Sequence, residues 1–151
     1  MKARAVVILV ENGQVALIER RRQGRLFYVF PGGHVEPGET PEQGAVREAK
    51  EELGLDVLVN RLVAESSYLG RQHYYYLVTS AGGQFGHGSG SELSRSADSE
   101  RGSVTPVWVA LDTFDQHIIL PERMAQLVQQ AASQGWPETP LQFVEPENWP
   151  G

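Results

Sequence analysis

The sequence predicts a single α/β domain in which a mixed β-sheet is covered by helices. Three observations support this class. The chain has 151 residues, which suits one domain and is short for two. A hairpin signal comes first, and the later strand-like runs are interrupted by two helical patterns. Apolar residues make up 40% of the chain and charged residues 21%, as in folded globular proteins rather than disordered ones.

The charge balance and the cysteine count exclude several classes of protein. Thirteen basic residues against nineteen acidic ones give a net charge of −6, which argues against broad binding of nucleic acid. The absence of cysteine excludes disulfides, thiolate zinc sites and a cysteine nucleophile. The longest apolar run, residues 5–10, is too short for a signal peptide or a membrane span. We therefore expect a cytoplasmic protein with neither a nucleic-acid nor a membrane partner.

The first third of the chain predicts three short strands. Residues 3–10 are rich in Val, Ile and Leu, and the Asn12-Gly13 pair that follows is a strong hairpin signal, so residues 15–18 form the predicted return strand. Residues 20–22 are all arginine and predict a basic cluster outside the sheet. Residues 26–30 predict an aromatic strand, which Pro31-Gly32-Gly33 ends.

The most strongly patterned element is a helix over residues 41–53. Thr40 is a suitable N-cap, Pro41 suits the first helical position, and Gln43 completes a capping box. Small and apolar residues recur every four positions and form its buried stripe: Ala45, Ala49 and Leu53. Gly54 stands where a glycine commonly ends a helix.

The second half of the chain predicts three strands and a second helix. The strands cover residues 56–64, 73–79 and 104–110, and the helix covers residues 121–133. Between them, thirteen of residues 80–103 are Gly or Ser, which predicts a long functional or flexible loop. We therefore expect one domain over residues 1–135.

The remaining residues, 136–151, form a predicted C-terminal tail that is rich in proline. Four prolines lie within it, so we expect irregular backbone there. Two aromatic side chains, Phe143 and Trp149, are the expected contacts between the tail and the domain.

Three acidic residues share one face of the first helix. Glu48, Glu51 and Glu52 are spaced i, i+3 and i+4, and like charges at this spacing cost about 0.2–0.5 kcal/mol per pair. A divalent cation is the simplest compensation, because hard cations prefer carboxylate oxygens. A solvated acidic face, with Arg47 paired to Glu51, is the alternative. Gly32-Gly33 just upstream favours the cation, since bare backbone can approach a ligand closely.

The spacing of these residues resembles the signature of the Nudix hydrolases. Gly33 is followed after five residues by Glu39 and, after seven more, by the run 47–55, which reads Arg-Glu-Ala-Lys-Glu-Glu-Leu-Gly-Leu. All seven fixed positions of the signature, Gly33 to Leu55, match, and Ala49 stands where the pattern asks for an aliphatic residue. The chain is thereby identified as a MutT-like member of that family.

The resemblance implies a fold, an activity and a set of site residues. The fold is an α/β/α sandwich with a mixed β-sheet. The activity is that of a pyrophosphohydrolase that uses Mg²⁺ or Mn²⁺ to cleave a diphosphate linkage in a nucleoside diphosphate derivative. The resemblance also implies roles for six residues. Glu48 and Glu52 are the principal metal ligands, Glu51 is an assisting ligand, and the Gly32 carbonyl is a further one. Arg47 holds Glu48 in place, and Glu39 ties the loop to the helix.

The catalytic base and the substrate contacts stay open in the sequence. The resemblance allows either a box glutamate or a loop carboxylate as base, and of Glu92 and Glu100 we prefer Glu92 because small residues surround it. Four residues are candidate substrate contacts: Arg20 and Arg21 for phosphates, Tyr28 and Phe30 for a nucleoside. A solvated basic turn and an ordinary aromatic core are the competing interpretations.

Several substrates and one rival function remain. Gly70 stands where ADP-ribose hydrolases often carry proline, and neither the NADH-hydrolase motif nor a coenzyme A signature is present. Nucleoside triphosphates, dinucleoside polyphosphates and sugar nucleotides therefore remain as small-molecule substrates. The rival is a non-catalytic nucleotide-metabolite binding module on the same fold. Homodimers are common in the family, but no feature of the sequence marks an interface.

Overall fold

The computed structural model describes residues 2–88 and 102–146. Within these ranges the chain forms nine strands, two α-helices and a 3-10 helix over Leu111–Gln116. The helices are α1 (Pro41–Leu53) and α2 (Glu122–Gln134). The strands are β1 (Arg4–Glu11), β2 (Gln14–Arg22), β3 (Arg25–Val29), β4 (Gly32–His34), β5 (Leu55–Tyr68), β6 (Arg71–Gly83), β7 (Ser103–Ala110), β8 (Ile119–Leu120) and β9 (Leu141–Val144).

The strands form one mixed sheet, which confirms the predicted fold class. Their order is β8-β3-β2-β1-β6-β5-β9, with β4 paired to β1 and β7 paired to β2. Strand β1 is parallel to β6 and antiparallel to both β2 and β4. Its central position brings the start of β6 and the short strand β4 next to the same few residues of β1, and this arrangement positions the site described below.

Two hydrophobic cores lie on opposite faces of the sheet. Alternate residues of β1 point to opposite sides, so Val7 packs in the core that contains Ala49 of α1, and Ile8 packs in the core that contains Met124 of α2. Burial on both faces explains why β1 reads as a continuous apolar run. The two helices therefore cover the two faces of the sheet, as an α/β/α sandwich requires.

Helix α1 has the predicted boundaries and caps. The Thr40 hydroxyl accepts from the Gln43 amide at 3.1 Å, and the Gln43 side chain accepts from the Thr40 amide at 2.9 Å. Gly54 ends the helix with φ of 79°, in the left-handed region. These caps fix the rotation and the end of the helix that presents the glutamates.

The prediction that the basic cluster lies outside the sheet is wrong, because Arg20, Arg21 and Arg22 belong to β2. Arg20 is opposite Phe27 of β3 on one edge and opposite Val104 of β7 on the other. Both partners keep the strand extended to Arg22. The β7 pairing joins residues more than eighty positions apart, so no local pattern could have indicated it.

The C-terminal tail is not irregular throughout, which corrects the expectation for residues 141–144. These residues form β9, which pairs in parallel with β5. The expected contact of Phe143 is confirmed, because its ring lies 5.9 Å from that of Tyr75. Trp149 lies outside the described residues, and the boundary between residues 135 and 136 stays a prediction.

The predicted glycine-rich segments partly belong to strands. The sequence predicted that Gly32 and Gly33 only end the preceding strand. In the structure they also form part of β4, which pairs with β1. The start of the predicted loop over 80–103 belongs to β6, which runs to Gly83, and its end belongs to β7. Glu92 and Glu100 lie outside the described residues.

No helix in the described part of the chain is long and apolar enough to cross a bilayer.

Candidate active site

Three of the glutamates of α1, Glu48, Glu51 and Glu52, face a cleft beside strand β4. Glu48 is buried, with 8% of its surface exposed, whereas Glu51 and Glu52 are partly exposed. The cleft has a volume of about 410 Å³. Residues from β1, β2, β4 and α1 line it, together with the residue that follows β3. They include Arg4, Arg20, Phe30, Gly32, Gly33, Arg47, Glu48, Glu51 and Glu52.

The glycine pair lies directly against the glutamates. The Gly32 amide donates a hydrogen bond to Oε2 of Glu52 at 2.7 Å. A Cβ atom at Gly33 would lie 2.5 Å from Cδ and 2.8 Å from Oε2 of Glu48. An added Cβ at position 33 would therefore displace the end of the Glu48 side chain, and the bare backbone that the sequence predicted is in place beside two carboxylates.

Arg47 joins the loop before α1 to the glutamates on the helix. Its Nε and Nη2 donate to the two carboxylate oxygens of Glu39 at 2.9 and 3.0 Å. Its Nη1 donates to Glu48 at 2.9 Å and to Glu51 at 3.1 Å, and Nη2 also donates to the His34 carbonyl at 2.9 Å. One guanidinium thus fixes three carboxylates, with the bidentate geometry that arginine favours.

The pKa values of this cluster follow from these contacts. The hydrogen bond to Glu39 is the main reason that the pKa of Arg47 rises above its usual value. The same hydrogen bond lowers the pKa of Glu39. Burial raises the pKa of Glu48, against the opposing effect of Arg47. Glu48 is therefore a carboxylate whose charged form would gain from a nearby cation.

The chemistry of the donors suits a hard divalent cation. The helix offers carboxylate oxygens, and the Gly32 carbonyl lies at the same cleft, where Nη2 of Arg4 approaches it at 3.4 Å. Within residues 2–88 and 102–146, no three acidic or histidine side chains converge closely enough to enclose an ion. Nη1 of Arg47 contacts one carboxylate oxygen of Glu48 and one of Glu51.

Two of the four predicted substrate contacts line the cleft and two do not. Arg20 and Phe30 are part of its walls. Arg21 pairs with Glu19 at 3.1 Å and has 55% of its side chain exposed, because neighbouring residues of a strand point to opposite faces. Tyr28 is buried in the core under α2, so the structure does not bring it to the glutamates.

Sequence reasoning missed Arg4, the basic residue at the start of β1. It lies opposite His34 of β4 and opposite His73 of β6 in the sheet. Both pairings join segments that are far apart in the chain. An arginine that begins an apolar strand gave no local signal that it would lie at a cleft.

Comparisons with known proteins agree with this fold. A family model described as the NUDIX domain matches residues 1–131. An RNA pyrophosphohydrolase of Yersinia enterocolitica is 41% identical over 61 residues, which cover 40% of this chain and 35% of that protein. The chain thus spans about a third of the length of the curated relatives it matches.

Solved structures match over a larger part of the chain. A Nudix hydrolase of Nitrosomonas europaea has a TM-score of 0.72 and 19% identity, covering 95% of this chain and 78% of that one. An ADP-ribose pyrophosphatase of Streptococcus suis has a TM-score of 0.65 and 19% identity, covering 95% and 98%. At these identities the likeness shows the fold.

One further structure shares somewhat more sequence. A MutT structure from work on Aliivibrio salmonicida and Vibrio cholerae has a TM-score of 0.65 and 26% identity, and it covers 88% of this chain and 98% of that one. The family model, the sandwich fold and the intact signature from Gly33 to Leu55 lead to one conclusion: the chain belongs to the NUDIX domain family of hydrolases.

Proposed function

We propose that the chain hydrolyses a diphosphate linkage in a nucleoside diphosphate derivative with the help of Mg²⁺ or Mn²⁺. The observation that carries this proposal is the cleft that Glu48, Glu51 and Glu52 line together with the Gly32-Gly33 backbone. A solvated acidic face would not explain why glycine backbone is packed against two of these carboxylates.

The proposed metal ligands are Glu48 and Glu52, with Glu51 and the Gly32 carbonyl as further donors. A divalent cation bound there would neutralise charge on the phosphate oxygens and lower the pKa of the attacking water. Arg47 keeps Glu48 and Glu51 oriented, and its bidentate contact with Glu39 fixes the loop before the helix.

The proton of the attacking water needs a base, for which two sources remain. One is a glutamate of α1. The other is a carboxylate of the segment between β6 and β7, and Glu92 stays our candidate there. In both cases the base must lie within hydrogen-bond reach of the water, about 2.6–3.2 Å.

The substrate we propose is a small nucleotide: a nucleoside triphosphate, a dinucleoside polyphosphate or a sugar nucleotide. Arg20 and Phe30 are the proposed contacts to its phosphates and its nucleoside, because both line the cleft. RNA and ADP-ribose are further candidates, because the Yersinia relative is named an RNA pyrophosphohydrolase and the Streptococcus structure an ADP-ribose pyrophosphatase. A cytoplasmic location and a homodimer remain predictions.

The test is a phosphate-release screen on the purified chain with Mg²⁺. The panel holds nucleoside triphosphates, oxidised triphosphates, dinucleoside polyphosphates, sugar nucleotides, ADP-ribose, NADH and a 5′-triphosphorylated RNA oligonucleotide. Coupling to pyrophosphatase or phosphatase shows whether pyrophosphate or a monoester is released, and so which bond is cut. Hydrolysis of one class supports the proposal. A blank across the panel from folded protein would favour the non-catalytic binding module instead.

A further inference from the structure

A second cavity adjoins the glutamate cleft. Its volume is about 300 Å³, at the lower end of the range for small-molecule sites. Arg4, Arg20, Val29 and Phe30 line both cavities, so the two cavities are immediate neighbours. Four of its polar lining residues were not among the site residues that the sequence suggested: Arg4, Arg71, His73 and Glu145.

The walls of this second cavity carry an excess of positive charge. Arg4 of β1, Arg20 of β2 and Arg71 of β6 contribute three guanidinium groups, and His73 adds an imidazole. The acidic residue in its wall is Glu145, from the segment after β9. Arginines clustered around a cavity favour a ligand with anionic oxygens, because guanidinium donors match phosphate geometry.

The carboxylate of Glu145 is already occupied by the protein. It is almost fully buried, and its Oε2 accepts hydrogen bonds from Ser66 and from Tyr75, the latter at 3.1 Å. The same oxygen lies 2.5 Å from Nδ1 of His73. Glu145 therefore orients the imidazole of His73, and its single negative charge stands against three guanidinium groups in the walls of this cavity.

Two buried polar atoms on the cavity walls have no partner in the described part of the chain. They are Nε2 of His73 and Nε of Arg71. The His73 side chain is 91% buried, since only 9% of it is exposed. An unsatisfied buried donor or acceptor is costly, so a cavity that holds two of them next to three guanidinium groups is built for a polar ligand.

The position of His73 and Arg71 follows from the fold. His73 pairs with Arg4 across the parallel β1–β6 contact, and Arg71 begins β6 two residues earlier, on the same face as His73. Both residues therefore line the same cavity as Arg4. The arrangement depends on the strand register and not on a flexible loop.

We propose that this cavity, which adjoins the glutamate cleft, binds a phosphate group of the nucleotide substrate. Arg71 and Arg4 supply charge and donors, and His73 supplies a further polar contact that Glu145 orients. The assignment of the phosphate to the substrate rests on the proposed function. Binding of a phosphate in the cavity does not depend on it.

The test is isothermal titration calorimetry in the presence of EDTA, so that no metal ion is bound to the glutamates. The probes are inorganic phosphate, AMP and, as a phosphate-free control, adenosine. We expect phosphate and AMP to bind the wild-type chain, and AMP at least tenfold more tightly because its nucleoside contacts the shared walls. Arg71→Met should weaken both by about tenfold or more, since a charge-assisted hydrogen bond is lost. Arg123→Met, at an exposed arginine of α2, should weaken neither.

Each other outcome overturns a defined part of the proposal. Absence of phosphate binding, or equal binding by wild type and Arg71→Met, would show that the cavity is not a phosphate site. Equal weakening by Arg123→Met would show non-specific attraction. Equal affinity for AMP and inorganic phosphate would assign the site to free phosphate instead of the substrate. Far-ultraviolet circular dichroism of each variant, and the conservative Arg71→Lys, separate loss of binding from loss of fold. None of these results depends on hydrolysis, so a blank activity screen leaves them interpretable.

Discussion

At the scale of single residues, the site depends on one glycine whose missing side chain leaves room for the Glu48 carboxylate. Gly33 has ordinary strand geometry in β4, so its role is not a positive φ. Its role is space: the Glu48 carboxylate occupies the volume that a Cβ would need. Replacement of this glycine should therefore disturb the site more than it disturbs the fold.

Gly33→Ala should therefore displace Glu48 and lower kcat/KM by about 10²-fold, because misplacing a catalytic group by about 1 Å has an effect of that size. Its matched control is Gly13→Ala in the first hairpin, where φ is 75° and no atom lies near the added Cβ. The control should lose about 1 kcal/mol of unfolding free energy through backbone strain and keep its activity. Steady-state kinetics and urea unfolding of both variants measure the two effects, and equal activity loss in both would contradict this role of Gly33.

Residue spacing was sufficient to predict that the glutamates share one face of α1. It was insufficient to predict where the arginines lie. Glu48, Glu51 and Glu52 lie on one face because helical periodicity alone places them there. Arg4 and His73 become neighbours only through the register of β1 against β6, which depends on the whole sheet. No local pattern contains that register, so the second cavity could not be predicted from the sequence.

At the scale of elements, helix α1 was predictable because its signals are local. The capping box, the proline at its start and the glycine after its end all lie within sixteen residues of sequence. Strand β2 was mispredicted at its end for the opposite reason, since the arginines stay extended through pairing with β7. The same contrast explains β9, a short strand that exists through its pairing with β5.

Removal of the helix cap should destabilise the protein without touching the site. Thr40→Ala deletes the hydroxyl that accepts from the Gln43 amide, which costs about 1 kcal/mol. Ser133→Ala, at an exposed serine in the last turn of α2, is the control and should change the free energy of unfolding by less than about 0.5 kcal/mol. Urea unfolding at pH 7 measures both, and equal stability of the two variants would count against the capping box as a source of stability.

At the scale of the whole molecule, Glu145 links the C-terminal segment to the centre of the sheet. Burial on its own would raise the pKa of Glu145, but hydrogen bonds from His73, Ser66 and Tyr75 outweigh it and hold the pKa below its usual value. The charged groups that share the cavity are Arg4, Arg20 and Arg71. The protein therefore stabilises the ionised form of this buried carboxylate.

The sign of the resulting pH dependence follows from that lowered pKa. An unfolded glutamate has a pKa of about 4.3, and Glu145 in the folded protein binds its proton less readily. Its contribution to stability is therefore complete above the unfolded pKa and is lost as the pH falls through the folded pKa. Acidification should release the segment that carries β9 from the sheet more readily than it unfolds the rest.

Glu145→Gln should lower the free energy of unfolding by about 1–3 kcal/mol at pH 7, because a charged hydrogen-bond acceptor is lost. The gap between wild type and variant should shrink as the pH falls below 4. Glu138→Gln, an exposed residue of the same tail, should give no gap at either pH. Urea unfolding across this pH range is the measurement, and a gap that stays constant with pH would contradict the account of Glu145.

The central claim is that the glutamates of α1 bind a divalent cation that hydrolysis requires. The most direct test compares turnover of wild type and Glu52→Gln over a Mg²⁺ titration, with the substrate that the screen identifies. Glutamine keeps an acceptor for the Gly32 amide, so the fold should survive. Glu122→Gln, on the exposed side of α2, is the matched control. We predict that Glu52→Gln loses at least about 10²-fold in kcat, that Glu122→Gln does not, and that excess EDTA abolishes wild-type turnover. Full activity in EDTA, or in Glu52→Gln, would contradict the claim.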